Sequence, residues 1–273
     1  MKQSRRDRAF STVGLACALV PLCVLIWLVL HAGNAARGLP FSELMAGPES
    51  GAGLLPALLG SLGLIGIATV LALPSGVAAA IYLEEFSEEG VGARILEANA
   101  VALAAVPSVL WGVFGAWVWV RTLALGESIV SGGLTLALLM SPTVMVTARE
   151  SLRRVPDGVR EAATALGANR WQALRRVVLP TALPGVFTGV VLSVSRAMGE
   201  AAPLLLVGAL VYVHSGSTKG SYTALPVQLY GWLTDVSDKL APHAGAGVLV
   251  LLVATVGLNA TVIWRRARCG EGQ

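Results

Sequence analysis

Charged residues fall along this chain in short clusters separated by long uncharged stretches. The stretches run Ala9–Ala36, Leu54–Leu83, Ala98–Val120, Ser128–Ala148, Val177–Ser195 continued by Ala201–Thr218, and Leu240–Trp264. An α-helix needs about 20 mostly apolar residues to cross the hydrocarbon core of a bilayer, and each stretch is close to or beyond that length. The pattern predicts six spanning helices, the fifth being one long segment that holds Arg196 and Glu200. The expected fold class is therefore an all-α integral membrane protein.

Composition agrees. The chain has 273 residues, 55% of them hydrophobic and only 13% charged, about half the charged share of a soluble domain. MKQSRRDR before an apolar run has the look of a secretory signal. Five further apolar segments, and the lack of a small-residue cleavage site before Arg37, instead predict a retained first helix. Cys17, Cys23 and Cys269 support no disulfide framework and read as packing residues.

The basic residues set the orientation, because Lys and Arg near helix ends stay on the cytoplasmic side. Six spans place Lys2, Arg5, Arg6 and Arg8, Arg94, seven arginines between Arg149 and Arg176, and Arg265, Arg266 and Arg268 together on one side. The other side holds only Arg37, Arg121, Lys219 and Lys239. Both termini and the 149–176 loop are expected in the cytoplasm, with the lipid bilayer around the spans. Splitting the fifth segment into two spans would send the tail arginines outside. The net charge of +4 reflects this sidedness, so no nucleic-acid partner is expected.

Prolines lie in or near most spans (Pro21, Pro56, Pro74, Pro107, Pro142, Pro184, Pro203), which implies bent helices in a packed bundle. Small-residue spacings at Gly60, Gly63, Gly66 and at Gly112, Gly115 would let helices approach closely. The first external loop, about Gly33–Gly53, reads as an irregular turn or a short amphipathic piece. The acidic turn EEFSEEG at Glu84–Gly90 reads first as solvated, with a partner contact as the alternative. Trp117, Trp119, Tyr212 and Trp264 sit where interfacial rings anchor a helix.

The charged segment 156–180 departs most from its apolar surroundings. Pro156 and Asp157 mark a helix start, and the Ala-rich run from Glu161 to Leu166 favours helix. Gly167 is placed to stop it in a left-handed cap. Asn169 can then cap a second short helix, Trp171–Val178, which Pro180 is expected to end. Two short helices at an angle form a rigid protrusion. The order Glu161-Ala162-Ala163, Gly167, then Leu179-Pro180 resembles the EAA loop of ABC-importer permeases, the element through which the membrane subunit docks on its ATPase. The resemblance implies a type I, MetI-like permease bundle with a cytoplasmic helical coupling loop. It implies coupling roles for Glu161, Ala162, Ala163, Gly167, Trp171, Leu179 and Pro180.

No Gly-Lys-Ser/Thr sequence occurs, so nucleotide chemistry is expected on a separate chain. No Ser/His/Asp, zinc or cysteine constellation appears either. His31, His214 and His243 are isolated near expected outer ends, and no catalytic or metal site is expected.

Within the fifth span, Arg196 and Glu200 are i,i+4 neighbours able to pair. A charge at mid-bilayer costs about 2.5–3.5 kcal/mol, so neither should face lipid. They serve either as a structural or gating pair, or as a pathway pair in which the guanidinium offers its planar fork to an anion. The stretches SRAMGEAAPLLLVG (Ser195–Gly208) and TALPVQLYGW (Thr223–Trp232) are similar to those of the phosphate-transport permeases of the PstA family, and the likeness runs from about Leu54 to the last span.

That resemblance implies a bacterial inner-membrane subunit importing inorganic phosphate. It implies a heterodimer with a PstC-like permease, a PstB-like ATPase dimer carrying ATP and Mg, and an external PstS-like phosphate-binding protein. Arg196 and Glu200 would be substrate-pathway or gating residues, and Tyr222, Gln228 and Trp232 would lie where the binding protein docks. The organisation it implies is residues 1–53 as tail, first helix and external loop, 54–264 as permease core, and 265–273 as cytoplasmic tail. Another oxyanion (sulfate, molybdate or phosphonate) would suit the coupling loop equally. A secondary transporter, channel or intramembrane enzyme lacks the ion-coupling site or reactive groups it would need.

Overall fold

The computed structural model describes residues 5–46, 53–87, 90–209, 222–235 and 239–270, all of them helical or irregular. Helix α1 (Arg5–Ala35) is followed by a short α2 (Phe41–Ala46), so the loop expected after the first span is helical in part. Next come α3 (Leu54–Ile81), continued by a π-helical turn Tyr82–Phe86, then α4 (Val91–Ala104) and α5 (Ser108–Gly115), the latter extended by a π-helical stretch Ala116–Thr122. After α6 (Ile129–Arg153), two short helices α7 (Asp157–Ala165) and α8 (Arg170–Ala173) lead through a π-helical turn Leu174–Val178 into α9 (Leu179–Ala197). The chain closes with α10 (Ala202–Leu206), α11 (Leu225–Thr234) and α12 (Ala241–Gly270).

Among the described residues, five helical stretches are long and apolar enough to cross a membrane, and α4 with α5 makes a sixth if counted as one span bent by 95°. The third span expected over Ala98–Val120, with a bend implied at Pro107, is thus a sharp corner between two separate helices. Pro107 supplies the reason: it lacks an N–H, and its ring drives the preceding residue out of the helical region. The helix ends at Ala104 and restarts after Pro107, whose ψ is 135°.

The fifth segment also departs from expectation, for the same reason at a second proline. Helix α9 ends at Ala197, and α10 begins with Pro203 in its first turn. In an unbroken helix the Pro203 ring would press on the Gly199 carbonyl four residues back. Residues 210–221, including Tyr212 and the end of that segment, lie outside the described residues.

Helices α3 and α6 pack along most of their length, and α9 lies against α6 on the other side. One apolar cluster joins Leu64, Leu136, Met140, Leu204 and Val227. A second, toward the 156–180 segment, joins Ala80, Val144, Leu152, Leu174, Val178 and Val186. Close approach needs glycine at particular points: a Cβ on Gly112 would sit 2.6 Å from Pro203 Cα, and one on Gly60 would collide with the Thr223 carbonyl. Gly66 faces open space. Helix α1 packs chiefly on α12 and exposes nearly all its surface, Cys17 and Cys23 included, so these cysteines do not fill a core as expected.

Candidate functional site

The 156–180 segment folds as the sequence chemistry dictates at its corner. Gly167 adopts φ +84°, and behind it the helix end closes in a paired cap: Gly167 N–H donates to the Thr164 carbonyl at 2.9 Å, Ala168 N–H to that of Ala163 at 3.1 Å. This is the Schellman arrangement, and it satisfies carbonyls the helix end would otherwise orphan. Asn169 then starts α8 with a reciprocal cap, its Oδ1 accepting from Gln172 N–H at 2.8 Å while its own N–H donates to Gln172 Oε1 at 3.0 Å.

Pro180 behaves differently from expectation. It does not end the second helix, because the π-helical turn Leu174–Val178 widens the ladder just before it, with Leu179 N–H donating to the Leu174 carbonyl. Pro180 then occupies the first turn of α9, where a missing N–H costs little. Helix runs from Arg170 to Ala197 as one 28-residue stretch, about 42 Å at 1.5 Å per residue.

Leu166 is 90% exposed and Trp171 59% exposed, an apolar pair at the tip of the segment. Glu161, Ala162 and Gly167 are exposed beside them. Ala163 is buried, so it packs the knob internally and is no outward anchor. Leu174 and Val178 seat the knob on the second apolar cluster, with Leu179 partly buried against it.

Arg196 lies in the last turn of α9 and Glu200 in the break that follows, with Nε to Oε1 at 3.8 Å. The pairing expected from i,i+4 spacing is present but loose, since the helix does not continue to Glu200. Glu200 is largely covered, whereas the Arg196 side chain is 56% exposed. Next to it, Ser195 Oγ donates to Asn259 Oδ1 at 2.9 Å, tying α9 to α12.

Tyr222, Gln228 and Trp232, expected on an outer docking surface, are 6%, 1% and 2% exposed. The apolar run LPVQLYGW makes α11 a buried helix, anchored where Leu225 N–H donates to Ser61 Oγ at 2.8 Å. Burial, with the nearby Glu127 carboxylate, pushes the Tyr222 phenol above its usual range. His243 is likewise buried, its ring centroid 5.8 Å from that of Trp232. Among the described residues no His/Cys/Asp/Glu group is arranged to hold a metal ion.

The acidic turn is where sequence reasoning missed the most. Glu84 is not solvated: Arg149 and Arg153 both donate to its Oε2, at 3.0 and 3.2 Å. Glu85 Oε1 accepts from Arg160 at 3.0 Å, and Arg149 Nη1 lies 2.7 Å from Glu97 Oε1. The signal was present as acidic residues at one helix end and basic residues at another, both expected on the same face of the membrane.

Residues 72–266 match the family of binding-protein-dependent transport system inner membrane components. A phosphate transport system permease protein PstA 1 of Mycobacterium tuberculosis (strain CDC 1551 / Oshkosh) is 37% identical over 262 residues, covering 93% of this chain and 86% of that protein. The phosphate transport system permease protein PstA of Haemophilus influenzae is 31% identical over 91% of this chain and 88% of its own length. Among solved structures, a bacterial alginate ABC transporter in complex with its alginate-bound periplasmic protein superposes with TM-score 0.71, at 12% identity, over 97% of this chain and 96% of that one. The MetNI methionine ABC transporter in an inward-facing form gives 0.61, at 16% identity, over 79% and 95%. Their low identities speak for the fold alone.

Proposed function

This chain belongs to the PstA family of phosphate transport system permeases, within the binding-protein-dependent inner membrane components, and from that premise we propose that it forms half of the pore of an ATP-driven inorganic phosphate importer. The other half is a PstC-like permease. A PstB-like ATPase dimer binds ATP and Mg and docks on the Leu166–Trp171 knob, while a PstS-like binding protein delivers phosphate from the opposite side. Both termini and the knob face the cytoplasm.

The observation that carries this reading is the unbroken helix from Arg170 to Ala197. It starts at the exposed knob and ends one residue past Arg196, so displacement of the knob is delivered to the charged turn at its far end. A guanidinium in a spanning segment should not face lipid. The 56% exposure of Arg196 in the single chain is therefore assigned to the pore or the sister permease. There its fork matches phosphate oxygens, and Glu200 restrains it between passages.

Closure of the ATPase dimer on ATP moves the knob and opens the pore outward; hydrolysis returns it to the inward-open state, and phosphate leaves to the cytoplasm. Free energy comes from the partner, and this chain contributes path and linkage. The test is uptake by cells relying on this complex, with labelled phosphate and an excess of sulfate, molybdate or phosphonate. Undiminished phosphate uptake is expected. Uptake of one of those oxyanions that phosphate fails to compete would overturn the substrate.

A further inference from the structure

Three segments distant in sequence meet beside the knob. The π-helical turn Tyr82–Phe86 extends the second span, and its closing bond, Ser87 N–H to the Tyr82 carbonyl at 2.8 Å, widens the helix there. Successive residues of a helical turn point in different directions. Glu84, Glu85 and Phe86 accordingly reach three different elements.

Glu84 accepts from Arg149 and Arg153 on α6, and both arginines also face Glu97 of α4, at 2.7 and 3.5 Å. Glu85 takes Arg160 of α7, through Nε at 3.2 Å and Nη2 at 3.0 Å. Arg160 is itself fixed, donating to the Leu152 carbonyl at 2.9 Å and the Val155 carbonyl at 2.6 Å. Phe86 packs on Trp171 of α8, ring centroids 6.5 Å apart. Glu84, Glu85 and Arg149 are all less than one-fifth exposed and Arg160 about one-quarter, so solvent screens the Glu84–Arg149 and Glu85–Arg160 pairs less than surface ones.

The consequence is mechanical. The knob is joined covalently to α6 and α9, but Glu85 and Phe86 grip both of its helices from the second span. Glu84 carries the linkage on through Arg149 to α4. We propose that Glu84, Glu85 and Phe86 form a bracket of positioning residues that makes the second span, and through Glu97 the bent third, move with the knob. This rests on the coupling reading above.

The decisive variant is Glu85→Gln in the full reconstituted complex, compared with Glu85→Asp. Expected is an ATPase that still copurifies and hydrolyses ATP, with phosphate taken up per ATP falling tenfold or more in Glu85→Gln and by less in Glu85→Asp. An unchanged ratio overturns the bracket. So does loss of ATPase binding together with both activities, which would make Glu85 a fold or docking residue only.

A second readout does not depend on substrate. A spin label at Ser75→Cys in α3, in a chain whose own cysteines are replaced by serine, should change its spectrum on ATP binding, and Glu85→Gln should abolish the change. No change in the parent, or an equal change in both, refutes the linkage. Were the parent to take up no phosphate, the substrate reading would fall while this spectrum still judged the bracket.

Discussion

Arg196 is held by little: a 3.8 Å contact to Glu200 and the end of its own helix. A side chain so loosely restrained and so exposed is free to exchange its carboxylate partner for a passing anion, which a tightly buried pair would resist. Arg196→Gln keeps the length and some hydrogen-bonding capacity but loses the charge and the fork. Phosphate uptake should then fall about 10- to 160-fold, the range expected for 1.5–3 kcal/mol of charged hydrogen bonding, with assembly and ATP hydrolysis still measurable. Arg196→Lys keeps a charge without the planar fork and should be intermediate. Normal uptake by Arg196→Gln would remove both the pathway and the gating role.

At the scale of elements, the knob depends on one turn. A Cβ at Gly167 would meet no neighbour, but the backbone there sits at φ +84°, so Gly167→Ala should destabilise the corner by about 1–2 kcal/mol through conformation alone. Gly167→Pro, whose ring cannot take a positive φ and which removes the N–H bonded to Thr164, should uncouple hydrolysis from uptake while the spans still insert. Uptake and hydrolysis measured on the same vesicles check both variants. This corner was legible in the sequence, because Gly167 and Asn169 act through their own backbones and nearest neighbours. The two broken spans were not. Pro107 and Pro203 announce a bend, but whether a helix bends or stops depends on what the neighbouring elements offer the freed backbone. Nor did the pattern show that α11 is buried or that Glu84 and Glu85 are paired, since each requires knowing which distant segments meet. The apolar run around Gln228 reads equally as an outer surface or as core.

At the scale of the molecule, run lengths predict six spans, and the described residues hold five plus one bent pair. Among its described residues the apolar clusters lie between α3, α6, α9, α10, α11 and α12, while α1 stays at the edge with little contact beyond α12. An edge helix of that kind is free to pack on lipid or on the sister permease. The knob and Arg196 sit at opposite ends of one continuous helix, and the bracket ties a second span to the same knob. On the proposed reading, such an arrangement gains function only when an ATPase drives it. The initial rate of labelled phosphate uptake into proteoliposomes holding the complete complex, with binding protein outside and ATP sealed inside, tests this most directly. Uptake should require internal ATP and stop when this chain is omitted. Phosphate entering equally well without ATP, or without this chain, would contradict the account.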